Sequence, residues 1–399
     1  MLEPVKELTK YDYTGQPQKS SAGRGESTGA GLESEESAKT LVEMIGLVEK
    51  LAVESDLEDN ALLKLLDYLD GQPKAAAVRA HLIEKAHQKR MEIYGNRVFL
   101  RGLIEVSNFC KRNCVYCGIR AGNPKADRYR LTADQVLESC RIGYDLGYRT
   151  FVMQGGEDPL HTDDFLTALI REIRERFPDC AITLSLGERS RESYQALFDA
   201  GADRYLLRHE SAEVNYYQRF HPGMTLADRK QCLEDLKDIG YQVGAGFMVG
   251  LPGQSNQLLV QDLRFLKTLD PHMIGIGPFI PHHETPLSDQ TSGCVDKTVV
   301  LLAIIRLLIP KVLLPATTAL GSLDPSGREL GIRAGANVIM PNLSPMDVRK
   351  KYDLYDGKLS TGEEAAESRR NIERRIEDAG FAVDMARGDH PDWRNKNVY

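Results

Sequence analysis

The stretch RVFLRGLIEVSN at residues 97–108 is rich in β-branched and aliphatic residues, and TADQVLESCRIGYDLG at 132–147 then has the apolar spacing of an amphipathic helix. This pair of patterns recurs along the chain. The further strand-like runs are TFVMQGG, AITLSLG, RYLLRHE, QVGAGFMVG, MIGIGPFI, KVLLPATT and ANVIMP. All but the last precede a helical pattern. Eight strands that alternate with helices predict an α/β fold, a (β/α)8 TIM barrel, with an open doubly wound sheet as the alternative.

Residues typical of helix ends agree with this assignment. Several predicted helices begin at Ser or Thr and end at Gly. The starts are Thr132, Ser190, Thr225 and Ser255, and the ends are Gly147, Gly201, Gly240 and Gly335. Because the active groups of such barrels gather at the C-terminal ends of the strands, we expect functional residues in the loops that follow each strand.

The regions outside the barrel differ in composition. Residues 11–38 are rich in Gly, Ser and Glu and nearly lack large aliphatics, which predicts a disordered tail over 1–38. The apolar spacing of residues 39–95 predicts an N-terminal helical segment. We assign the barrel to residues 96–345 and expect 346–399 to form a C-terminal helical extension that packs on it.

Composition narrows the possible partners and the cellular location. The chain has 399 residues, 42% hydrophobic content and a net charge of −7, so a nucleic-acid partner is not expected. The longest apolar run, 299–309, is too short to cross a bilayer, and the N-terminus resembles no targeting signal. We therefore expect a cytoplasmic protein. A local group of basic residues is interpreted as a solvated rim: Lys111, Arg112, Arg120, Lys125, Arg128 and Arg130.

Three cysteines, Cys110, Cys114 and Cys117, follow the first predicted strand with the spacing C-x₃-C-x₂-C. An odd total of seven cysteines argues against a disulfide framework and favours metal chemistry for this group. Structural zinc needs four closed ligands, and no fourth cysteine stands nearby. Thiolates also bind iron–sulfur clusters, and a [4Fe–4S] cluster held by three thiolates would leave one iron open to another ligand.

With Tyr116 directly before the third cysteine, this loop resembles the C-x₃-C-x-aromatic-C signature of the radical S-adenosylmethionine (SAM) superfamily. The resemblance implies that the open iron chelates SAM, and that the reduced cluster splits SAM into methionine and a 5′-deoxyadenosyl radical. The cofactors would then be one [4Fe–4S] cluster and SAM.

The ends of the later strands extend the resemblance. Gln154-Gly155-Gly156-Glu157 is similar to the superfamily's Gly-Gly-Glu-Pro stretch, which receives the methionine amino group. By the same resemblance, we assign Glu188 to the ribose hydroxyls, Arg208 to the methionine carboxylate and Met248 to the adenine. Substrate is expected to contact Ser185, Thr317, Thr318 and Tyr352, with Tyr352 and Tyr355 in a lid. His209 is expected to face the helices.

Glycines at alternate positions of strands five and six predict a hollow lumen, with relief of crowding between strands, or β-bulges, as the alternative. As a whole, CKRNCVYCG, QGGEDP, LSLGE, RYLLRHE, GAGFMVGLPGQ, GIGPFIPH, PATTA and GANVIMPN resemble the HydE family of [FeFe]-hydrogenase maturation enzymes, in the biotin synthase-like branch. The tail GDHPDWRN matches more loosely.

That family implies a small organometallic or cysteine-derived substrate, an Fe(CO)₂CN complex, and transient contact with other hydrogenase maturases. No cysteine follows Cys294, so a second C-terminal cluster of the kind some members carry is not expected. Two alternatives stay open: a mutase similar to 3-methylornithine synthase, and a non-catalytic iron–sulfur carrier. The carrier would not need the residues assigned to SAM.

Overall fold

The computed structural model describes residues 30–71, 75–359 and 365–393. Its strands are β1 (Arg97–Leu100), β2 (Gly102–Ser107), β3 (Thr150–Gly155), β4 (Ala181–Ser185), β5 (Arg204–Leu206), β6 (Gln242–Ala245), β7 (Met248–Val249), β8 (Met273–Ile274), β9 (Gly277–Pro278), β10 (Val338–Ile339) and β11 (Ala382–Asp384). The strands β2, β3, β4, β5, β6 and β8 pair in that order, all parallel.

The two edges of this six-stranded sheet are joined by shorter pairings. Met273 of β8 bridges Leu313, and Pro315 bridges Val338 of β10. β10 in turn pairs with β1, and Asn342 bridges Leu103 of β2. Every one of these pairings is parallel, so eight strand positions close into a ring. The predicted barrel is confirmed, and the open-sheet alternative is wrong.

The helices before and around the barrel are α1 (Ala30–Glu54), α2 (Asp59–Gly71), α3 (Ala75–Tyr94), α4 (Ala133–Asp145), α5 (Asp163–Arg176), α6 (Arg191–Asp199), α7 (Val214–Phe220), α8 (Leu226–Ile239), α9 (Asn256–Leu269), α10 (Val295–Leu308), α11 (Thr318–Leu323) and α12 (Gly327–Arg333). The four predicted capping hydroxyls each accept a backbone N–H bond at a helix start. All four predicted terminal glycines have a positive φ.

The N-terminal helices pack on the outside of the barrel. Val78, Leu82 and Ala86 of α3 are buried there, and α3 lies against α10. α1 begins at Ala30, inside the range predicted as a tail, because 30–38 is richer in Ala and Glu than the Gly- and Ser-rich residues before it. The rest of the predicted tail, 1–29, lies outside the described residues.

The chain after the barrel covers both of its ends. The last helices are α13 (Met346–Arg349) and α14 (Ala365–Asp378). Between them, residues 350–359, here called the cap segment, cross the upper end, where the strands have their C-termini. Farther along, β11 pairs with β1. Residues 387–390, here called the plug, then contact Thr150, Arg204 and Gln242, the first residues of β3, β5 and β6. The lower end of the barrel is thereby closed.

None of the helices in the described part of the chain is both long and apolar enough to span a lipid bilayer.

Candidate active site

Residues 108–129 between β2 and α4 form the cysteine loop, which carries Cys110, Cys114 and Cys117 at the upper end. Backbone hydrogen bonds join it to three other segments. Lys111 N donates to Glu157 O at 2.9 Å, Val115 N to Phe220 O at 3.1 Å, and Gly118 N to Leu354 O at 3.0 Å. The loop after β3, helix α7 and the cap segment therefore all fix its position.

The three thiols are half-buried and too far apart for one zinc ion. Their sulfur atoms are not all within 4.8 Å of one another; within the described ranges, only His282, His283 and Asp356 form a group that close. Tetrahedral zinc with Zn–S bonds of about 2.3 Å would bring its sulfurs to about 3.8 Å. The wider spacing fits a larger metal cluster.

The raised pKa values of the three thiols indicate a bound cation at this loop. Burial raises the pKa of Cys110, Cys114 and Cys117, and the neighbouring thiols raise it further for Cys114, to about 12, and for Cys117. Deprotonating all three together therefore requires a compensating cation. An iron–sulfur cluster supplies that charge, so the donor set and its surroundings fit a cluster.

Two glycines let other segments approach this loop closely. A Cβ atom at Gly156 would lie 2.2 Å from Phe109 O and 2.7 Å from the Cβ of Cys110. At Gly118 it would lie 2.1 Å from Asp353 O. A side chain at position 156 would displace Cys110 or Phe109, and one at position 118 would push the cysteine loop and Asp353 apart. The close approach at Gly156 thus serves the protein's own cysteine loop.

Glu157 and Glu188, predicted from two different strand ends, lie together and are joined by arginines. Arg112 Nε is 2.5 Å from one oxygen of Glu157, and Arg112 Nη2 is 2.9 Å from Glu188. Glu188 also receives Arg229 Nε at 2.6 Å, and its backbone N–H donates to Glu157 at 2.9 Å. Arg112 and Arg229 were not among the predicted site residues.

The prediction of a solvated basic rim is wrong for three of its members. Arg112 is half-buried between the two glutamates. Arg128 donates to four backbone carbonyls, including those of Asn108 and Ile119. Arg130 grips both oxygens of Asp158 and lies 3.5 Å from the ring centroid of Phe109. Net charge and local composition do not reveal this, because the partners of Arg112 and Arg130 follow a later strand and those of Arg128 depend on how the cysteine loop folds back.

Arg208 and Glu210 follow the end of β5. Arg208 Nη2 is 2.8 Å from Glu210 Oε1, and the Arg208 carbonyl accepts a hydrogen bond from Arg229. Glu210 is buried with a φ of 62°, and its Oε2 has no hydrogen-bond partner among the described residues. Sequence reasoning missed Glu210, although its spacing of two from Arg208 in a strand-like run was the available signal.

Tyr116 and Met248 belong to one apolar cluster with Tyr216, Phe220 and Phe279. The Tyr116 hydroxyl lies 2.9 Å from His221 Nε2, and His221 Nδ1 lies 2.7 Å from the carbonyl of Tyr217. Burial, helped by Arg229, lowers the pKa of His221 to about 3, so the imidazole is neutral. Its Nδ1–H donates to the carbonyl and its Nε2 accepts from Tyr116, which fixes the tyrosine ring.

Gln154, Ser185 and Glu105 occupy one row across β2, β3 and β4, in register with one another. Gln154 Nε2 donates to the Tyr352 hydroxyl at 3.3 Å, so this side chain points to the cap segment. The cap is held by Lys358, whose Nζ lies 2.6 Å from buried Glu105 and 2.6 Å from Tyr352 O. Glu105 and Lys358 were also missed; a glutamate in an apolar strand was the signal.

Thr317 and Thr318 differ in their contacts. Thr318 Oγ1 accepts from Arg328 at 3.3 Å, whereas Thr317 Oγ1 is buried without a hydrogen-bond partner in the described part of the chain. A Cβ at Gly277 would lie 2.7 Å from Thr317 Oγ1, and one at Gly246 would lie 2.0 Å from the carbonyl of the facing strand. At these two glycines, close packing rather than a hollow explains the residue type.

His209 faces the helices, as expected. It is fully buried, with Nε2 3.4 Å from Asp262 Oδ1 and its ring 4.6 Å from that of Phe265. It does not share the site with its neighbours Arg208 and Glu210.

The sequence around this site is similar to that of known proteins. Residues 104–266 match the Radical SAM superfamily. The chain is 46% identical to the [FeFe] hydrogenase maturase subunit HydE of Thermotoga maritima over 278 residues, which cover 70% of this chain and 79% of that protein. The chain therefore belongs to the HydE family of radical SAM enzymes, a superfamily that in general uses SAM and a [4Fe–4S] cluster.

Two more distant relatives share the architecture. The 3-methylornithine synthase of Methanosarcina barkeri is 28% identical over 343 residues, covering 86% of this chain and 94% of that protein. The crystal structure of a methylornithine synthase superposes with a TM-score of 0.74 at 26% identity, covering 85% of this chain and 97% of the other. The fold is therefore compatible with the alternative mutase function as well as with that of a HydE enzyme.

Proposed function

We propose that this protein binds one [4Fe–4S] cluster through Cys110, Cys114 and Cys117 and acts in the maturation of an [FeFe] hydrogenase. When bound and reduced, the cluster supplies the electron that cleaves SAM to methionine and a 5′-deoxyadenosyl radical. The observation that carries the proposal is the cysteine loop packed on Gly156 and Glu157 in a chain 46% identical to a HydE maturase. A carrier without SAM chemistry would not need the charged groups that surround this loop.

The side chains around the loop suit the charges of SAM. The methionine portion of SAM carries an ammonium and a carboxylate. The neighbouring side chains of Glu210 and Arg208 carry the opposite charges, so Glu210 suits the ammonium and Arg208 the carboxylate. Glu210 Oε2, which lacks a partner among the described residues, is free to accept from the ammonium. Glu157 with the Gly155-Gly156 backbone, as first assigned, is the alternative receiver of that group, and Arg208 keeps the carboxylate.

Glu188 and the apolar cluster suit the nucleoside portion. Both Glu188 oxygens already accept from arginines, but each retains a lone pair for a ribose hydroxyl. Tyr116 and Met248 present an apolar surface of the kind that an adenine ring packs against. Because His221 holds the Tyr116 hydroxyl, that surface keeps its orientation before SAM arrives.

Substrate would lie deeper, between the strand ends and the cap segment. Ser185, Gln154, Thr317, Thr318 and Tyr352 supply hydroxyl and amide groups there, which suit a small polar complex with sulfur or cyanide ligands. The ion pair of Glu105 with Lys358 keeps the cap segment closed over the lumen. A closed lumen excludes water and other hydrogen donors from a reactive intermediate.

Cleavage of SAM is the first test. The purified protein is reconstituted with iron and sulfide without oxygen, reduced with dithionite and given SAM, and 5′-deoxyadenosine is measured by mass spectrometry. We expect product only with reductant and cluster present. A protein with a verified cluster and no product would support the iron–sulfur carrier instead.

Complementation separates the HydE role from the mutase. The chain is expressed in an [FeFe]-hydrogenase host that lacks its own HydE gene but keeps the other maturases. We expect hydrogenase activity to return, and a Cys114→Ala variant serves as the matched control. If the protein formed 5′-deoxyadenosine in vitro but did not restore hydrogenase activity, it would be a radical SAM enzyme that acts on another substrate, as the mutase does.

A further inference from the structure

Two histidines and an aspartate meet where the loop after β9 touches the cap segment. His282 and His283 follow β9, and Asp356 belongs to the cap segment. One ring nitrogen of each histidine and one oxygen of Asp356 all lie within 4.8 Å of one another. The group is outside the site described above, and the function proposed for this protein does not use it.

His282 has the surroundings of a preoriented metal ligand. It is buried, its Nε2 lies 3.1 Å from Asp353 Oδ2, and its Nδ1 accepts from the Glu284 backbone N–H at 3.0 Å. These contacts put the proton on Nε2 and direct the Nδ1 lone pair to the Glu284 N–H, a hydrogen bond that an ion bound at Nδ1 would replace. A carboxylate that accepts from the remote nitrogen is the usual means of orienting a histidine that coordinates a metal.

His283 and Asp356 form the open side of the group. The two imidazole rings stack with centroids 4.4 Å apart, and His283 Nδ1 lies 2.7 Å from Asp356 Oδ1. Asp356 Oδ2 accepts from the His283 backbone N–H at 3.0 Å. Both side chains are about half exposed or more, so an ion can reach them from solvent.

We propose that His282, His283 and Asp356 bind a zinc-class divalent ion, separate from the iron–sulfur cluster, that fastens the cap segment to the loop after β9. Two imidazoles and a carboxylate are the ligand set that zinc and similar transition ions prefer, with water completing the coordination. Magnesium prefers oxygen ligands and is disfavoured here. On binding, the His283 proton that now faces Asp356 passes to the other ring nitrogen or to solvent.

The position of this group gives the ion a structural consequence. A Cβ at Gly118 would lie 2.4 Å from the His282 ring, so His282 packs directly behind the residue that follows Cys117. Gly118 N also donates to Leu354 O, and Asp356 N donates to Pro281 O at 3.0 Å. An ion at this junction would therefore stiffen both the cap segment and the support of the cysteine loop.

Metal analysis of the cluster-loaded protein tests the proposal. The holoprotein is dialysed anaerobically against micromolar zinc or magnesium, and iron, zinc and magnesium are measured per chain. We expect one equivalent of zinc, no magnesium and unchanged iron. The His283→Ala/Asp356→Ala double variant should lose the zinc and keep the iron, and the exposed Asp289→Asn in the same loop is the matched control. Asp353→Asn should weaken zinc about 10- to 100-fold.

Hydrogen exchange of the cap segment supplies a second readout. Zinc should slow exchange of peptides from 350–359 several-fold in the unaltered protein and in Asp289→Asn, but not in the double variant. Zinc absent from the unaltered protein, equal zinc in the double variant, or magnesium in place of zinc would overturn the proposal. Because iron and cluster absorbance are followed separately, none of these results bears on SAM cleavage.

Discussion

The two ends of the barrel use polar side chains differently. At the lower end, Arg204 is fully buried and donates to Arg387 O at 2.7 Å and to Asp389 at 2.6 Å. Gln242 donates to the same carboxylate and accepts from His390 N. At the upper end, buried oxygens of Glu210, Tyr217 and Thr317 have no hydrogen-bond partner among the described residues.

Unpaired atoms also occur at the lower end, where the buried Tyr148 hydroxyl ahead of β3 has no partner among the described residues, but the arginine atoms there are of another kind. Arg101 Nε and Arg204 Nε lack partners within the described residues, yet each guanidinium donates through its other nitrogens. The upper-end oxygens have no such second contact apart from the Arg208 bond to Glu210 Oε1. A buried acceptor without a donor costs stability, and a bound ligand recovers that cost. The difference therefore marks the upper end for binding and the lower end for stability.

Removing a cluster ligand should give the largest effect. Cys114→Ala leaves two thiolates for a cluster in which three irons each need a cysteine ligand from the protein. We expect the iron–sulfur absorbance and 5′-deoxyadenosine formation to fall to background after anaerobic reconstitution, measured by iron and sulfide analysis and by mass spectrometry.

Cys232→Ala is the matched control for this loss. Cys232 is half-buried in α8, away from the other thiols, and its weak contact is with Arg189 O at 3.7 Å. We expect a full cluster and a change of no more than about 1 to 2 kcal/mol in the free energy of unfolding. Loss of the cluster in this variant would show that the cysteine loop is not the sole source of ligands.

Breaking the plug should cost stability without touching catalysis. Asp389→Ala leaves Arg204 buried without its carboxylate, and removing one partner of such a pair costs about 3 to 5 kcal/mol. The single tryptophan, Trp393, donates to Gly240 O at 3.1 Å close by, so its fluorescence during chemical denaturation reports this end directly. SAM cleavage per folded molecule should be unchanged.

The exposed pair of Asp392 with Lys311 provides the control, since Asp392→Ala should cost at most about 1 kcal/mol of unfolding free energy.

The contribution of Asp389 to stability should depend on pH with a definite sign. Burial opposes the charge on Asp389, but Arg204 and Arg387 overcome it and hold its pKa below the usual range. Its stabilisation is therefore complete above about pH 4 and is lost as pH falls further. Asp389→Asn should flatten that acid dependence, and an unchanged slope would contradict the assignment.

The sequence predicted the strands, the helix caps and the cysteine loop because these depend on local periodicity and spacing. The closure of the ring by Leu313, Pro315 and Asn342 was implied only by counting strands, since each of these contributes an isolated bridge. Local patterns also located Glu157, Glu188 and Arg208 at strand ends.

The sequence could not predict ion pairs between residues that are far apart in the chain. Arg112 was predicted to lie in a solvated rim and Arg229 was not singled out, yet the fold brings both to Glu188. Likewise, Lys358 reaches Glu105 across 253 residues, and Asp389 reaches Arg204 across 185. Such pairs have no periodicity; the last two follow from how the C-terminal extension crosses both ends of the barrel.

A matched pair of threonines offers the smallest and sharpest test of the two ends. Thr150 at the lower end donates to Arg387 O at 2.8 Å and accepts from Arg204 at 3.2 Å. Thr150→Val leaves Arg204 Nη1 without its acceptor and removes one of the two donors to Arg387 O, and it should cost about 1 to 3 kcal/mol of unfolding free energy, with SAM cleavage unchanged. Thr317→Val removes a hydroxyl that has no partner in the described structure, so stability should stay the same or rise slightly.

The effect of Thr317→Val should appear instead in hydrogenase maturation, reduced about 2- to 10-fold, as for the loss of one hydrogen bond to a ligand. SAM cleavage without substrate should stay unchanged, because the hydroxyl is assigned to the substrate and not to SAM. Chemical denaturation and the complementation assay measure the two quantities independently. If Thr317→Val destabilised the protein as much as Thr150→Val while maturation stayed normal, the upper hydroxyl would be structural, and the contrast between the ends would fail at this residue.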